Sequence, residues 1–195
     1  MARLETEHIK KGFNDASDAL KNFCADPENM HQTALFAQKT AETFQAGNKI
    51  VSCGNGGSMC DAMHFAEEFT GRFRDDRPSL PAVAISDPSY LTCTANDYGF
   101  DFIFSRFVQG VGRAGDLLLG ISTSGNSSNV IEAVKEAQKQ GMYTVCLLGK
   151  DGGALKPMAD LSIVVPAVTS DRIQEVHIKI IHIAIETVER LIRRF

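Results

Sequence analysis

Five short apolar runs, separated by helical stretches, constrain the fold of this chain more than any other feature. They lie at residues 49–53, 82–85, 116–121, 143–148 and 161–165. Strands that are almost continuously apolar are typical of a parallel sheet with both faces covered by helices. The pattern therefore predicts an α/β fold built on a five-stranded parallel sheet.

Two helices are predicted before the first strand. The apolar positions of the first repeat at helical spacing: Phe13, Ala16, Leu20 and Phe23. Asp26-Pro27 breaks the pattern, and a second periodic segment runs from Met30 to a C-capping Gly47. No linker or repeat divides the 195 residues, so we expect a single domain over 1–195, with 1–47 as its helical N-terminal extension.

Composition excludes several classes of protein. A net charge of −4 argues against a nucleic-acid partner. The first eleven residues lack an apolar signal core, and no stretch approaches the roughly 20 apolar residues that span a bilayer, so we expect a cytoplasmic protein without a membrane partner. The five cysteines are odd in number and scattered, which predicts free, mostly buried thiols rather than disulfides or a zinc cluster.

A glycine-rich turn, Cys53-Gly54-Asn55-Gly56-Gly57-Ser58, follows the first strand and opens a helix. Such a turn lets backbone N–H groups approach an anion or a sugar closely. It is not a dinucleotide fingerprint, because Met59 occupies the third glycine position. The chain also lacks the Gly-Lys-Ser/Thr of a Walker loop, so no nucleotide cofactor is expected.

A second loop, Ser122-Thr123-Ser124-Gly125-Asn126-Ser127-Ser128, follows the third strand and precedes a helix predicted over 129–140. Its hydroxyl groups, glycine and free N–H groups at the helix start form a neutral phosphate cradle. The alternative is a turn and N-cap cluster without a ligand. The density of hydroxyl groups on both sides of Gly125 favours phosphate.

The helix after the glycine turn carries a polar stripe of Asp61, His64, Glu68 and Arg72. On an ordinary helix this stripe would be a solvated face with ion pairs at i,i+4 spacing. Here the helix begins at the glycine turn, which favours a stripe that faces a ligand. His64 and Glu68 could also share one metal ion, although the sequence lacks the H-E-x-x-H pattern.

The last helix, predicted over 172–194, is apolar on two sides. One stripe contains Ile173, Val176, Ile180, Ala184 and Leu191, and the other contains Ile178, Ile181 and Ile185. A helix with two apolar stripes needs two partners, so we expect the sheet to cover one and another subunit to cover the second. Gln174 and His182 lie on the second stripe, either as hydrogen-bonded structural residues or as part of a site.

These segments together resemble the phosphoheptose isomerases of the sugar-isomerase (SIS) family, over essentially the whole chain. The resemblance is densest in 52–58, 61–68, 70–72, 96–97, 120–127 and 171–175, with His177 and His182. It implies a flavodoxin-like SIS fold and a homotetramer with sites at subunit interfaces. It also implies aldose–ketose isomerisation of D-sedoheptulose 7-phosphate to D-glycero-D-manno-heptose 7-phosphate, the first step toward ADP-heptose for the lipopolysaccharide core.

The resemblance assigns roles by position. Glu68 matches the catalytic base and His182 the acid. One zinc ion per subunit is implied, held by His64, Glu68, Gln174 and His182. The matching substrate-binding positions are Asn55, Gly56, Gly57, Ser58, Glu68, Arg72, Asn96, Asp97, Ser122, Thr123, Ser124, Ser127, Asp171 and Gln174. Gln174 and His182 lie eight residues apart, about 12 Å along a helix, so either long side chains lean together or the ligands come from different subunits.

The expected chemistry suits these residue types. A carboxylate can move a proton between C1 and C2 through an enediolate while a second group stabilises the enediolate oxygens. The alternatives are an isomerase of another phosphosugar and a non-catalytic regulator that binds a sugar phosphate on the same fold. Regulators of this kind tend to lack the acid and the base, and the presence of Glu68 and His182 favours the enzyme.

Overall fold

A five-stranded parallel sheet forms the centre of the computed structural model, which describes residues 5–192. Its strands are β1 (Ile50–Gly54), β2 (Ala82–Ala84), β3 (Leu117–Ser122), β4 (Tyr143–Gly149) and β5 (Leu161–Val165). The order across the sheet is β2-β1-β3-β4-β5, which is the flavodoxin-like order. The predicted fold class and all five strand positions are confirmed to within one residue at each end.

Seven α-helices surround the sheet in the described part of the chain. They are α1 (Thr6–Ala25), α2 (Pro27–Gln45), α3 (Gly57–Thr70), α4 (Pro88–Tyr98), α5 (Ile103–Val111), α6 (Ser128–Lys139) and α7 (Ser170–Ile192). The break between α1 and α2 lies where it was predicted, because the Asp26 side chain accepts a hydrogen bond from the Glu28 N–H and caps α2. The predicted end of the last helix, at Arg194, lies outside the described residues.

The sheet buries a separate hydrophobic core on each face. Successive residues of a strand point to opposite faces, so Leu117 and Leu119 join one core while Leu118 joins the other. The first core also contains buried side chains of α1, α2, α3 and α7, and the second contains those of α5 and α6. This arrangement places α3 and α7 together on one face, which matters for the site.

The structure corrects the interpretation of the last helix. Ile181 and Ile185, taken from the sequence as a stripe for another subunit, are fully buried within their own chain. They join the same core as the side chains of α2 and α3, so these two residues are covered without a second copy, and Ile181 is not an interface residue. Ile178, the third residue of that stripe, is only partly buried and lines a groove between α1 and α7. The inference of an oligomer from Ile181 and Ile185 is therefore wrong.

The cysteine prediction is right in one part and wrong in another. All five cysteines are free thiols, but Cys24, Cys60 and Cys93 are exposed, so most of them are not buried. Of the helices between residues 5 and 192, none combines the length and the hydropathy that crossing a bilayer requires.

Candidate active site

The two loops identified from the sequence meet at one point of the sheet. They leave the carboxyl ends of β1 and β3, which are neighbours where the strand order reverses, and open α/β sheets bind ligands at such a point. Asn55 of the glycine turn and Asn129 in the first turn of α6 exchange two amide hydrogen bonds, of 2.9 and 2.8 Å. This pair joins the two loops directly.

Close packing explains the glycines of the first turn. A Cβ atom on Gly57 would lie 2.7 Å from the Gln174 Oε1 atom, and one on Gly54 would lie 2.7 Å from the Ser58 carbonyl oxygen. Gly56 has a φ of +54°, in the region that favours glycine. Gly54 and Gly57 therefore allow Ser58 and Gln174 to pack closely against the turn, whereas the space beside Gly56 is open.

The second loop presents its hydroxyl groups to one another. The Ser122 and Ser127 hydroxyl oxygens lie 2.9 Å apart, and the Asn126 N–H donates to the Ser124 hydroxyl at 3.1 Å. Ser127 occupies the N-cap of α6, yet its side chain makes no capping hydrogen bond. A loop that served only to cap the helix would use that hydroxyl on the helix N–H groups, so the geometry favours an anion at this helix start.

A third segment supports the second loop, and the sequence did not point to it. The N–H groups of Ala154 and Leu155 donate to the Asn126 side chain and to the Gly125 carbonyl, both at 3.0 Å. A Cβ atom on Gly125 would lie 2.0 Å from the Gly152 carbonyl oxygen. The pair Gly152-Gly153, three residues after the end of β4, is the one sequence signal that could have indicated this contact.

Three ionisable side chains meet where α3 packs against α7. Ligand atoms of His64, Glu68 and His182 all lie within 4.8 Å of one another. The two histidine Nε2 atoms are 2.9 Å apart, and His64 Nε2 lies 3.4 Å from Glu68 Oε1. On the other side of the His64 ring, Nδ1 lies 2.8 Å from the Glu67 carboxylate, which accepts a hydrogen bond from an Nδ1–H group and so orients the ring.

The surroundings shift the proton affinities of two members of this cluster. Burial raises the pKa of Glu68, and the neighbouring Glu67 carboxylate raises it further. Burial lowers the pKa of His182, and the nearby His64, Lys179 and Arg74 lower it in addition. A carboxyl group with a raised pKa beside an imidazole with a lowered one is suited to proton transfer near neutral pH.

The donor atoms of this cluster fit a zinc ion. Tetrahedral zinc binds nitrogen and oxygen at about 2.0–2.2 Å, which places its ligand atoms about 3.3 Å apart. The 2.9 and 3.4 Å separations are close to that value. A carboxylate on the second nitrogen of a zinc-binding histidine is a common outer contact, and Glu67 supplies one to His64.

Gln174, the fourth ligand implied by the resemblance, lies apart from the other three. Its amide donates to the Ser58 hydroxyl at 3.3 Å, in the first turn of α3. Ser58 precedes His64 by six residues, which corresponds to about 9 Å along the helix. Within the chain, three of the four implied ligands therefore meet, and Gln174 contacts the glycine turn.

The remaining predicted residues lie around these loops. Asn96 and Asp97 are exposed on α4 and hydrogen-bond to each other at 2.9 Å. Arg72 is exposed just beyond the end of α3. Asp171 is the second residue of α7, after Ser170, whose hydroxyl lies 3.0 Å from that of Thr123 in the second loop. The roles of these residues stay predictions, because none of their hydrogen bonds within residues 5–192 connects them to the histidine cluster.

Asp61 is a residue of the polar stripe to which the sequence assigned no role. It lies on α3 one turn before His64, and its Oδ2 atom is buried without a hydrogen-bond partner among residues 5–192. Burial raises the pKa of this carboxyl to about 6, although the nearby His64 lowers it. A buried carboxylate oxygen without a partner in the helix that carries the cluster indicates a polar contact that residues 5–192 of the single chain do not supply.

Known proteins are similar to this chain over nearly its whole length. Residues 13–149 match the family model described as SIS domain. The phosphoheptose isomerase of Fusobacterium nucleatum is 57% identical over 94% of this chain and 95% of its own length. That of Klebsiella pneumoniae is 55% identical over 93% and 95%.

A solved structure gives the same result in three dimensions. The phosphoheptose isomerase of Neisseria gonorrhoeae superposes with a TM-score of 0.89 at 41% identity, over 96% of this chain and all of the other. The resemblance stated from the motifs is thus confirmed by both comparisons. The chain belongs to the SIS domain family, and within that family to the phosphoheptose isomerases.

Proposed function

We propose that the chain is an aldose–ketose isomerase that interconverts D-sedoheptulose 7-phosphate and D-glycero-D-manno-heptose 7-phosphate. The observation that carries this proposal is the meeting of Glu68 with two histidines at the α3–α7 contact. His64 and Glu68 lie on the helix that begins at the glycine turn, and that turn is joined to the hydroxyl-rich loop. The similarity to phosphoheptose isomerases supports the same substrate.

Glu68 is the base that transfers the proton. Moving the carbonyl between C1 and C2 requires removal of a proton from the carbon next to the carbonyl, which leaves an enediolate. The same carboxyl group then returns the proton to the neighbouring carbon. Its raised pKa makes the carboxylate a stronger base for the first step, and a pKa still on the acidic side of neutrality lets the protonated group give the proton back in the second.

His182 stabilises the oxygen side of the enediolate. It can donate a hydrogen bond or a proton from Nε2 to an oxygen, while the Glu67 contact orients the His64 ring, whose Nε2 lies 2.9 Å from that of His182. His64, Glu68 and His182 would hold a zinc ion, with Gln174 as the fourth ligand implied by the family. When bound, such an ion supplies Lewis-acid polarisation of the carbonyl and enediolate oxygens.

The hydroxyl-rich loop binds the phosphate group of the substrate. Ser122, Thr123, Ser124 and Ser127 supply its hydroxyl donors, and the start of α6 supplies N–H groups. The phosphate lies at the opposite end of the sugar from C1, so its binding energy orients the reacting carbons near Glu68. We place Asn55, Gly56 and Gly57, together with Asn96 and Asp97, against the sugar hydroxyls.

We also propose a homotetramer with sites at subunit interfaces, acting in the cytoplasm at the first step toward ADP-heptose. The support in the structure is an apolar groove of about 750 Å³ between α1 and α7. Ile9 and Phe13 line this groove and are 55% and 73% exposed. Exposed apolar side chains beside a groove of this size are typical of a protein contact surface.

The substrate assignment is tested by incubating the purified protein with sedoheptulose 7-phosphate and following the reaction by NMR. We expect signals of the aldoheptose 7-phosphate to appear. Turnover of fructose 6-phosphate alone would instead identify an isomerase of another phosphosugar. Binding of sugar phosphates without any turnover would identify a regulator on the same fold.

The zinc assignment has a test that does not depend on activity. Elemental analysis of protein purified without chelators should find zinc at up to one ion per chain, and His64→Ala should lower that content. His31→Ala is the matched control, because His31 is an exposed histidine on α2 outside the cluster. Zinc that stays bound to His64→Ala would contradict the ligand set.

A further inference from the structure

A nearly buried arginine joins the end of α3 to α7, next to the proposed base. Arg77 lies in the segment between α3 and β2, and its side chain is 10% exposed. Its Nε donates to the Glu189 carboxylate on α7 at 2.8 Å. Its two terminal nitrogens donate to the carbonyl oxygens of Phe69 at 2.8 Å and of Glu68 at 2.6 Å.

These three hydrogen bonds restrict the position of Glu68 at the end of α3. The last carbonyl groups of a helix lack partners inside the helix, so an external donor determines how the final turn is held. Arg77 binds two successive carbonyls in that turn, one of them on Glu68 itself. The rigid fork of the guanidinium fixes both carbonyl groups relative to Glu189. Glu189 lies on α7 about two turns after His182.

We propose that Arg77 and Glu189 are positioning residues that hold the Glu68 carboxylate in register with the α7 histidine. The inference rests on the proposed role of Glu68 as the base. A buried ion pair contributes little net stability compared with apolar residues, whereas its fixed geometry specifies one arrangement of the groups that it joins. In this chain the groups joined are the two helices that carry the histidine cluster.

The test compares two substitutions, each of which replaces a positively charged side chain of a buried ion pair with Met. Arg77→Met removes the fork beside Glu68. Lys49→Met is the matched control, because Lys49 forms an ion pair with the buried Asp116 at the amino ends of β1 and β3, the opposite edge of the sheet. For each variant, kcat and KM with sedoheptulose 7-phosphate and the thermal unfolding midpoint are measured.

We expect both variants to unfold at lower temperature, but only Arg77→Met to lose at least about tenfold in kcat, with KM changed less than about threefold. If Arg77→Met does not fold, Arg77→Lys replaces it. That variant keeps the charge beside Glu189 without the fork, and its kcat should still fall at least about threefold.

Two results would overturn the positioning role. One is a folded Arg77 variant with kcat within twofold of the unmodified enzyme. The other is a loss of kcat in Lys49→Met as large as that in the arginine variant. An inactive unmodified protein would instead contradict the proposed function, so the two failures are distinguishable.

Discussion

At the scale of single residues, the site contains polar groups whose pKa values are shifted by burial. Glu68 has a raised pKa, and His182 has a lowered one, because both are partly removed from water. The motifs placed both residues correctly on α3 and α7. Their meeting could not be read from local patterns, because His64 and His182 are 118 positions apart. Only the family resemblance suggested it.

His177 gives a prediction for stability at low pH. Its ring is completely buried, its Nε2–H donates to the Leu148 carbonyl at 2.8 Å, and burial lowers its pKa to about 4. The unfolded chain takes up this proton near pH 6.5 and the folded chain only near pH 4. Between these values the unfolded state binds more protons, so this group lowers the free energy of unfolding as pH falls.

The measurement is urea unfolding of the unmodified protein and of His177→Gln between pH 7 and pH 4. The shift of about 2.5 pKa units corresponds to about 3 kcal/mol, which the unmodified protein should lose relative to the variant. Asp61, whose pKa is raised, acts in the opposite direction in both proteins and cancels in the difference. An equal pH dependence of the two proteins would contradict this account of His177.

At the scale of elements, the loops after β1 and β3 work as one unit. The buried Asn129 side chain and Asn55 satisfy each other's amide groups across the point where the strand order reverses. The pair therefore sets the spacing between the sugar-binding turn and the phosphate loop.

Asn129→Leu tests this coupling. The variant leaves the Asn55 amide without its partner, and an unsatisfied amide costs about 1–3 kcal/mol, so we expect KM for the sugar phosphate to rise about tenfold or more. Asn48→Leu, on the loop that precedes β1 at the opposite edge of the sheet, is the control. A KM unchanged in Asn129→Leu but raised in the control would contradict the coupling.

The strands were predictable because a buried parallel strand is a local pattern of apolar residues. The cover of α7 was not, since an apolar stripe shows that a partner exists without showing which one. Ile181 and Ile185 are covered by helices of their own chain. The contact of residues 152–155 with the phosphate loop was missed for a similar reason, because two glycines after a strand do not indicate what packs against them.

At the scale of the whole molecule, α1 presents exposed apolar side chains beside a groove. Phe13 was part of a helical repeat in the sequence, and it is 73% exposed beside the groove against α7. If this groove contacts another subunit, Phe13→Glu places a charge in that contact and should dissociate the assembly. Asn14→Glu, an exposed neighbour outside the groove, is the control with the same change in charge.

Light scattering decides this prediction. We expect a tetramer for the unmodified protein and for Asn14→Glu, and smaller species for Phe13→Glu. A stable 21.2 kDa monomer of the unmodified protein with full activity would contradict both the assembly and the shared sites.

The most direct test of the central claim is the rate of aldoheptose 7-phosphate formation by Glu68→Gln, measured by NMR beside the unmodified protein. Gln keeps the size of the side chain and removes the base, so turnover should fall at least about 10²-fold while circular dichroism shows an intact fold. Glu132→Gln on α6, outside the cluster, should keep full activity. A Glu68→Gln variant that retains more than a tenth of the activity would contradict the assignment of Glu68 as the base.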